Sequence, residues 1–356
     1  MKNKKAIASQ SPPPSRSEFD FSDQLRKQAI DYRSSGGTSL QLGIGDDAAV
    51  FEQHNGRDTV ITTDLLVEEI DFRLNTTTPG LLGHKALAVS LSDIAAMGAL
   101  PRYSLLSIGV PEEVWKSGFI DEFYQGYLSL ARSQRVELIG GDVSRTPERV
   151  VIDSIVVGDL GRGTAVRRSG AQPGDHIFVT GSLGGAAAGL QLLGHGARLS
   201  TSAQRTKAVR AADSLLLRQL CPQPRVEWGL ALNKARLAKA MIDISDGLSS
   251  DLSHLCRESN VGARLDSRRI PIDPSVIDAP QRIALDPVEL ALNGGEDFEL
   301  LFTIHPRDLK RLPSHMGDVP VTYIGDITDD AGRIALTDGL TVRDLEPKGF
   351  SHFGGE

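Results

Sequence analysis

The chain has 356 residues, of which 40% are hydrophobic and 5% aromatic, and its formal net charge is −7. This length favours two domains, and the hydrophobic content suffices for substantial cores. The negative charge argues against a general nucleic-acid or anionic-membrane binder, since either would need a basic face. The two cysteines form no Cys-x-x-Cys pair, so we expect no zinc site and no disulfide framework, and a reducing, cytoplasmic setting.

The first residues are expected to be a tail. Residues 1–17 are polar and proline-rich and lack the apolar segment of a signal peptide, which predicts disorder. Residues 18–33 carry apolar side chains at helical spacing and are predicted to form a helix. No apolar run reaches the roughly 18 residues of a transmembrane helix, so we expect no membrane span.

The rest of the first half alternates predicted strands and helices, which is typical of α/β proteins. The predicted elements are a strand over 60–67, a helix over 81–99, a strand over 103–110, a helix over 119–134 and strands over 136–139 and 150–159. The strand over 136–139 is expected to end at Gly140-Gly141-Asp142.

Residues 160–175 are rich in glycine and predict a domain boundary. We therefore divide the chain into the tail over 1–17, an N-terminal domain over 18–160 and a C-terminal domain over 161–356. In the second half, the predicted elements are a strand over 176–180 leading into a helix, helices over 205–220, 228–240 and 248–258, strands over 241–244, 298–304 and 321–324, and a turn at 325–326.

The most informative feature is a set of aspartates in short settings rich in glycine, serine or threonine. Gathering carboxylates is costly unless a cation neutralises them. Mg²⁺ takes oxygen ligands and is usually bound by about one or two carboxylates together with substrate phosphates. The pattern therefore predicts a site where several metal ions bridge a polyphosphate. The segments are Gly43–Asp47, Thr62–Asp64, Ser92-Asp93, Gly140–Asp142 and Asp243–Gly247.

For several of these motifs a structural role competes with the functional one. Ser245 or Asp246 could cap the following helix, although capping leaves Asp243 unexplained in its apolar strand. Asp46 and Asp47 could belong to a simple turn, but adjacent carboxylates repel one another unless they are paired.

Three further positions also have two interpretations. The segment 294–297, Gly-Gly-Glu-Asp, could end a helix or point its acids into a pocket. Arg168 could be half of a solvated pair with Arg167 or could bind a nucleotide phosphate. Tyr124 could pack against the core or contact a ligand.

Familiar catalytic motifs are absent from the sequence. There is no G-x-x-x-x-G-K-[ST] phosphate loop, no G-x-S-x-G and no H-E-x-x-H. Catalysis by a nucleophile paired with histidine therefore has no support.

The acidic segments, taken as an ordered set from about residue 18 to 355, resemble the thiamine-monophosphate kinases of the aminoimidazole ribonucleotide synthetase superfamily. Each segment is weak by itself, but their order along the chain is specific. The segments that carry the resemblance are Gly43–Ala49, Thr63–Glu68, Ser92–Ala99, Gly140–Asp142, Arg168–Ala171, Asp243–Leu248, Gly294–Leu300 and Phe350–Phe353.

The resemblance implies a two-domain α/β (α+β) fold and a homodimer whose N-terminal domains form an intersubunit β-barrel. It implies transfer of the γ-phosphoryl group of ATP to thiamine monophosphate, with Mg²⁺ as cofactor. The implied metal ligands are Asp47, Thr62, Thr63, Asp64, Asp93, Asp142, Asp243 and Asp246. The implied ATP contacts are Tyr124, Gly141, Asp142, Arg168 and Ser245, and the implied substrate contacts are Glu296 and Phe350.

This chemistry agrees with the missing motifs. The attacking group would be a phosphate oxygen, which is largely ionised near neutral pH because its second pKa is about 6. No strong general base is then required, and charge neutralisation and in-line positioning remain as the tasks of the site.

One residue departs from the family pattern. After Leu66-Val67-Glu68 the family usually has Gly-Val-His-Phe, and here the chain has Asp71 where the histidine is expected. An anion at this position should repel a phosphate but attract a thiazolium ring, so Asp71 is predicted to be a substrate contact. Two alternatives stay open: a different acceptor for an ATP-using enzyme of the same superfamily, and a non-catalytic binder of thiamine phosphate or nucleotide.

Overall fold

A computed structural model describes residues 24–27, 39–53, 55–200, 206–278 and 286–350. The predicted tail lies outside these ranges, as does the predicted helix over 18–33 except for residues 24–27, which are helical. Among the described residues, no helix is both long and apolar enough to cross a membrane.

The first half builds one sheet, which has six strands within the described ranges, in the order β1-β2-β3-β6-β4-β5. Neighbouring strands are antiparallel except β4 and β5, which are parallel. The helices predicted over 81–99 and 119–134 and most of the predicted strands of this half are confirmed. The strands are β1 Leu40–Leu42, β2 Ala49–Glu52, β3 Arg57–Val67, β4 Leu100–Val110, β5 Glu137–Arg145 and β6 Val151–Gly161, and the helices are α1 Pro79–Ala96, α2 Glu112–Lys116 and α3 Phe119–Gln134.

The two faces of this sheet have different surroundings. Alternate residues of β3 and β6 are buried, which is the period-2 pattern of a sheet covered on one side. Helix α1 packs on the covered face. The other side, which we call the open face, exposes the apolar side chains of Leu65 and Tyr103.

Two segments that were predicted to end a strand or form a turn lie inside strands instead. The segment Gly140–Asp142 lies inside β5 and not at its end, because parallel pairing with β4 continues to Arg145. Glycine is required there, since a Cβ at Gly141 would lie 1.9 Å from the carbonyl oxygen of Leu106. The predicted turn at 325–326 is the middle of a strand, where Gly325 lets the neighbouring backbone approach closely.

The second half builds another sheet, in the order β14-β13-β9-β12-β7-β10-β8, with β11 paired to β12. The predicted helix over 228–240 is too long: it ends at Lys234, and β8 begins four residues later. The strands are β7 His176–Thr180, β8 Ala238–Asp243, β9 Gly262–Asp266, β10 Leu300–Ile304, β11 His315–Met316, β12 Val319–Thr328, β13 Ile334–Thr337 and β14 Val342–Asp344. The helices are α4 Gly185–Gly194, α5 Lys207–Leu220, α6 Val226–Lys234, α7 Leu248–Ser259, α8 Pro274–Asp278 and α9 Pro287–Asn293.

Helix α1 lies at the centre of the molecule. Its residues are buried on nearly every side, because it packs on the first sheet and on α3 and also contacts α6 and β8. One core cluster accordingly joins residues of both halves, from Leu87 of α1 to Trp228 of α6 and Phe302 of β10. The two halves therefore share an apolar interface on which a site between them can be built.

The contact between α1 and α3 depends on glycine. A Cβ at Gly126 of α3 would lie 1.8 Å from the carbonyl oxygen of Gly80, and one at Gly83 would lie 1.9 Å from that of Phe123. Backbone atoms cannot move aside as a flexible side chain can, so no larger residue fits without separating the helices.

We predict that Gly126→Ala lowers the free energy of unfolding by about 3 kcal/mol, because overpacking outweighs the gain in helix propensity. The matched control is Gly194→Ala in α4, where a Cβ would have no neighbour within 4 Å. That control should be neutral or slightly stabilising. Urea unfolding measures both changes, and equal stabilities of the two variants would contradict the proposed close contact.

Candidate functional site

Three carboxylates from distant parts of the chain meet at one point. Asp47 follows β1, Asp93 lies in the last turn of α1, and Asp243 ends β8. Each offers an oxygen, and these oxygens all lie within 4.8 Å of one another. We call these three residues the carboxylate cluster.

The cluster is electrostatically strained in the absence of a cation. Burial, followed by the charge of Asp47, raises the pKa of Asp243 to about 7. Burial and the charges of Asp64 and Asp243 raise the pKa of Asp93 well above its usual value. Burial also raises the pKa of the nearby Asp64 to about 6. Such shifts arise where carboxylates share a buried site, and the guanidinium of Arg168 offsets their charges only in part.

The oxygen atoms of the site fit a divalent cation. The Oδ2 atoms of Asp47 and Asp64 are buried and have no hydrogen-bond partner among the described residues. Buried oxygens of this kind are ordinarily satisfied, and hard oxygen ligands are those that Mg²⁺ prefers. The cluster and Asp64 are therefore the residues that could hold such an ion.

Neighbouring groups fix the direction of each carboxylate. The hydroxyl of Thr62 donates to Asp93 at 2.5 Å, and that of Ser92 donates to Asp243 at 2.6 Å. Arg168 donates from Nη2 to Asp47 Oδ1 at 2.7 Å. Each of these bonds leaves the second oxygen of its carboxylate available to another ligand.

The loop over 243–247 is shaped by a residue that follows it. Asp251 of α7 accepts hydrogen bonds from the backbone N–H groups of Ser245, Asp246 and Gly247 at 3.1 to 3.2 Å. Helix α7 has Gly247 at its N-cap position and no side-chain cap. The interpretation of Ser245 or Asp246 as the cap is therefore wrong, and neither side chain is needed to cap the helix.

A cavity of about 590 Å³ adjoins the cluster and lies between the two halves. Its lining combines apolar side chains, such as Leu66 and Leu290, with carboxylates. Six of the residues singled out in the sequence line it, namely Asp64, Asp71, Ser245, Asp246, Glu296 and Phe350.

Glu296 is held firmly at the wall of this cavity. Its Oε1 accepts from the ammonium group of Lys85 at 2.7 Å, and its Oε2 accepts from Gln219. Its backbone is left-handed, with φ 66°, and its N–H donates to the carbonyl of Ser245 at 2.7 Å. Left-handed backbone at a non-glycine residue is a strain that the surroundings must maintain.

Asp297 and Glu299, the acids that follow Glu296, stabilise the fold. Asp297 accepts from the N–H groups of Gly184 and Ala186 at the start of α4. Glu299 is fully buried and pairs with Arg225 and Arg218. Of the acids in this segment, Glu296 alone lines the cavity.

Asp71 has a local role as well as a place at the cavity. Its Oδ2 accepts from the backbone N–H of Val67 at 2.8 Å, which closes the turn after β3. The cavity lining also includes its neighbour Ile70. Phe350 lies on the cavity rim and is half exposed.

Four other singled-out residues lie away from the cluster. Asp142 is on the edge strand β5, three strands and about 14 Å from β3. It lies in register with Ser107, Asp153 and Leu65, so its row belongs to the open face.

Thr63 is also on that face, where its hydroxyl donates to Asp153. Gly141 precedes Asp142 on the exposed strand β5. Tyr124 packs edge-on against Phe123, and among the described residues it makes no hydrogen bond with the cluster.

Sequence reasoning missed several residues that support the site. Lys85 is 3% exposed, and a lysine in the otherwise apolar stretch of α1 was a signal that could have been read. Gln219 and Asp251 gave no such signal, because their partners are known only from the fold.

Comparisons with known proteins agree with this architecture. Residues 45–160 match the family model for the N-terminal domain of AIR synthase related proteins, and residues 172–336 match that for the C-terminal domain. The protein therefore has the two-domain α/β fold of the AIR synthase related proteins.

Individual relatives indicate which family within this class the chain resembles. The chain is 35% identical over 341 residues to thiamine-monophosphate kinase of Bacillus subtilis, covering 94% of this chain and 99% of the relative. It is 38% identical over 342 residues to that of Escherichia coli K12, covering 94% and 96%. A solved structure of AaThiL complexed with AMPPCP and TMP superimposes with a TM-score of 0.79 at 31% identity, covering 94% of this chain and 97% of that one. The chain belongs to the thiamine-monophosphate kinase family.

We predict that Mg²⁺ raises the melting temperature more at pH about 8 than at pH about 5. The raised pKa values of Asp64 and Asp243 mean that the metal-free fold binds their protons more tightly than the unfolded chain. That stabilisation is complete below the unfolded value of 3.8 and is lost as the pH rises through about 6 to 7. A cation offsets the loss only where the carboxylates are ionised. Thermal unfolding with Mg²⁺ or EDTA at both pH values tests this, and an equal shift at both would contradict it.

Proposed function

We propose that this protein transfers the γ-phosphoryl group of ATP to thiamine monophosphate and forms thiamine diphosphate, the last step in making that cofactor. The single observation that carries the proposal is a carboxylate cluster beside a cavity that Asp64, Ser245 and Asp246 line, and this cavity suits a cationic, partly apolar acceptor. Family membership supports it, since the relatives bear the name of this kinase.

The lining of the cavity supports thiamine monophosphate as the acceptor. Apolar side chains such as Leu66 and Val89 lie beside the carboxylates of Asp71 and Glu296. The thiazolium ring of thiamine is cationic and otherwise apolar, so it matches such a lining, and Phe350 at the rim can cover it. The carboxylate of Glu296 is already paired with Lys85, and the carboxylate of Asp71 in the same lining is the acid whose charge we propose that the ring meets.

We propose that phosphoryl transfer takes place at the end of the cavity near Asp64 and the carboxylate cluster. Bound Mg²⁺ ions would neutralise the two phosphate chains and hold them in line, which is the main requirement of this chemistry. The residues of this chain proposed to hold them are the carboxylate cluster with Asp64, Asp246 and Thr62. Arg168 and Ser245 are proposed to contact ATP, and Arg168 would exchange part of its contact with Asp47 for a phosphate.

The remaining proposed ligands require a second subunit. Asp142, Gly141 and Thr63 lie on the open face or the edge strand, and none of them reaches the cluster of its own chain. We therefore propose a homodimer in which two open faces pack together as an intersubunit β-barrel. The exposed apolar residues Leu65 and Tyr103 support this, since burying them is favourable.

Other assignments remain part of this proposal. They are the domain limits of 18–160 and 161–356, a contact of Tyr124 with ATP, and a cytoplasmic location. An ATP-using enzyme with a different acceptor is the alternative that the assay must exclude, together with a non-catalytic binder.

We predict that the purified protein with ATP and Mg²⁺ converts thiamine monophosphate to the diphosphate, as followed by chromatography of the products. Asp93→Asn should lower kcat by on the order of 100-fold or more, because it removes a charged ligand of the metal. The control is Asp121→Asn, an exposed acid in the first turn of α3, which should retain activity. Formation of ADP with another acceptor only, or no turnover at all, would exclude the proposed kinase.

We predict that Asp71→Asn raises KM for thiamine monophosphate about tenfold, the equivalent of ~1.4 kcal/mol, and leaves KM for ATP unchanged. The amide oxygen keeps an acceptor for the Val67 N–H, so the melting temperature should stay the same. Asp71→Ala removes both the charge and the acceptor and provides the comparison. If only the alanine variant has any effect, and that effect is on stability, Asp71 is a turn residue and not a substrate contact.

A further inference from the structure

A second cavity, of about 330 Å³, shares no lining residue with the first. It lies between the segment 162–169, which follows β6, and the segment 233–239, which joins α6 to β8. Four cationic side chains line it, and within the described residues no acidic side chain does. The cations are Arg162, Arg167, Arg236 and Lys239, and the neutral polar side chains Ser169 and Asn233 also line the cavity.

The charges of these cations are largely uncompensated. Arg162 pairs with Glu52 at 2.6 Å and also donates to the carbonyl of Gln53. In the part of the chain that the structure describes, Arg167, Arg236 and Lys239 have no ion pair and no side-chain hydrogen bond to an acceptor. The protein as a whole is acidic, with a net charge of −7, so this local excess of positive charge is not a general property of its surface.

Like charges that converge on a concave site repel one another, and an anion placed between them removes that cost. Guanidinium groups match phosphate oxygens in pairs, and a lysine adds a compact charge to the same anion. A volume of about 330 Å³ is at the small end of ligand sites, which begin at about 300 Å³. It suits a compact anion of high charge better than a whole nucleotide.

We propose that this basic cavity binds an anion carrying a diphosphate group. The site is independent of the kinase reaction proposed above and would exist in a protein with another acceptor. The hydroxyl of Ser169, for which the described residues provide no acceptor, is a further donor at the same wall.

The basic cavity is joined to the carboxylate cluster by a short piece of chain. Arg167 is followed directly by Arg168, whose guanidinium pairs with Asp47. The carbonyl of Arg167 accepts from the N–H of Met241 at 2.9 Å, two residues before Asp243. An anion in the basic cavity would thus bind to the same segment that positions Asp47 of the carboxylate cluster.

The test is calorimetric titration of the full chain with inorganic pyrophosphate in EDTA. Without divalent cations the carboxylates repel the anion, so heat of binding reports on the basic cavity. We expect the wild type to bind and Arg167→Ala/Lys239→Ala to bind at least about tenfold more weakly. The matched control, Arg132→Ala/Lys310→Ala, removes two other exposed cations and should bind like the wild type.

Arg167→Ala alone serves as a second variant, because Arg167 is exposed and its loss should not affect folding. Thermal unfolding without ligand checks that each variant is folded. A parallel titration with ADP shows which kind of diphosphate the basic cavity prefers. Tighter binding of ADP than of pyrophosphate indicates a nucleotide ligand. Tighter binding of pyrophosphate indicates a free or smaller diphosphate. No binding of either to the wild type, or equal binding to the wild type and to Arg167→Ala/Lys239→Ala, would overturn the proposal.

Discussion

The repulsion among Asp47, Asp93 and Asp243 is the constraint on which the rest of the structure depends. Three acids cannot share one buried point unless the fold holds them there and something cationic compensates them. Hydrogen bonds from Thr62 and Ser92 and the guanidinium of Arg168 hold them in place. The fold thus stabilises a site that is unfavourable by itself, and a bound cation would offset the repulsion.

Helix α1 sets the distance between the two ends of the site. Ser92 reaches Asp243, and Lys85, seven residues and about two turns earlier, reaches Glu296. Both contacts cross from the first half of the chain to the second. A single helix therefore holds the cluster at one position and the cavity wall at Glu296 about 10 Å along its axis. The glycine contacts that let α3 lie close to α1 help to hold this helix in place.

In the second half, the loop after β8 and the loop before β10 are joined by hydrogen bonds. The backbone N–H groups of Glu296 and Phe298 donate to the carbonyls of Ser245 and Ile244. Gly295 is required at this contact, since a Cβ there would lie 2.5 Å from the carbonyl oxygen of Ser245. The loop that contains Asp243 and the loop that contains Glu296 are thus held together by backbone hydrogen bonds, which would suit a reaction that depends on in-line alignment.

The sequence by itself determined the family, the acidic segments and most helices and strands, because spacing and apolar periodicity are local properties. It identified Asp47, Asp93 and Asp243 as important and gave no means to show that they meet. Only the tertiary structure decided that Asp142 lies on the opposite side of the sheet from the cluster, since this depends on how the strands pair and in which register. It also decided that Lys85 neutralises Glu296, a contact across 211 positions that no local pattern encodes. Chain-distant charges interact only after folding removes the water between them, so their pairing is a property of the fold.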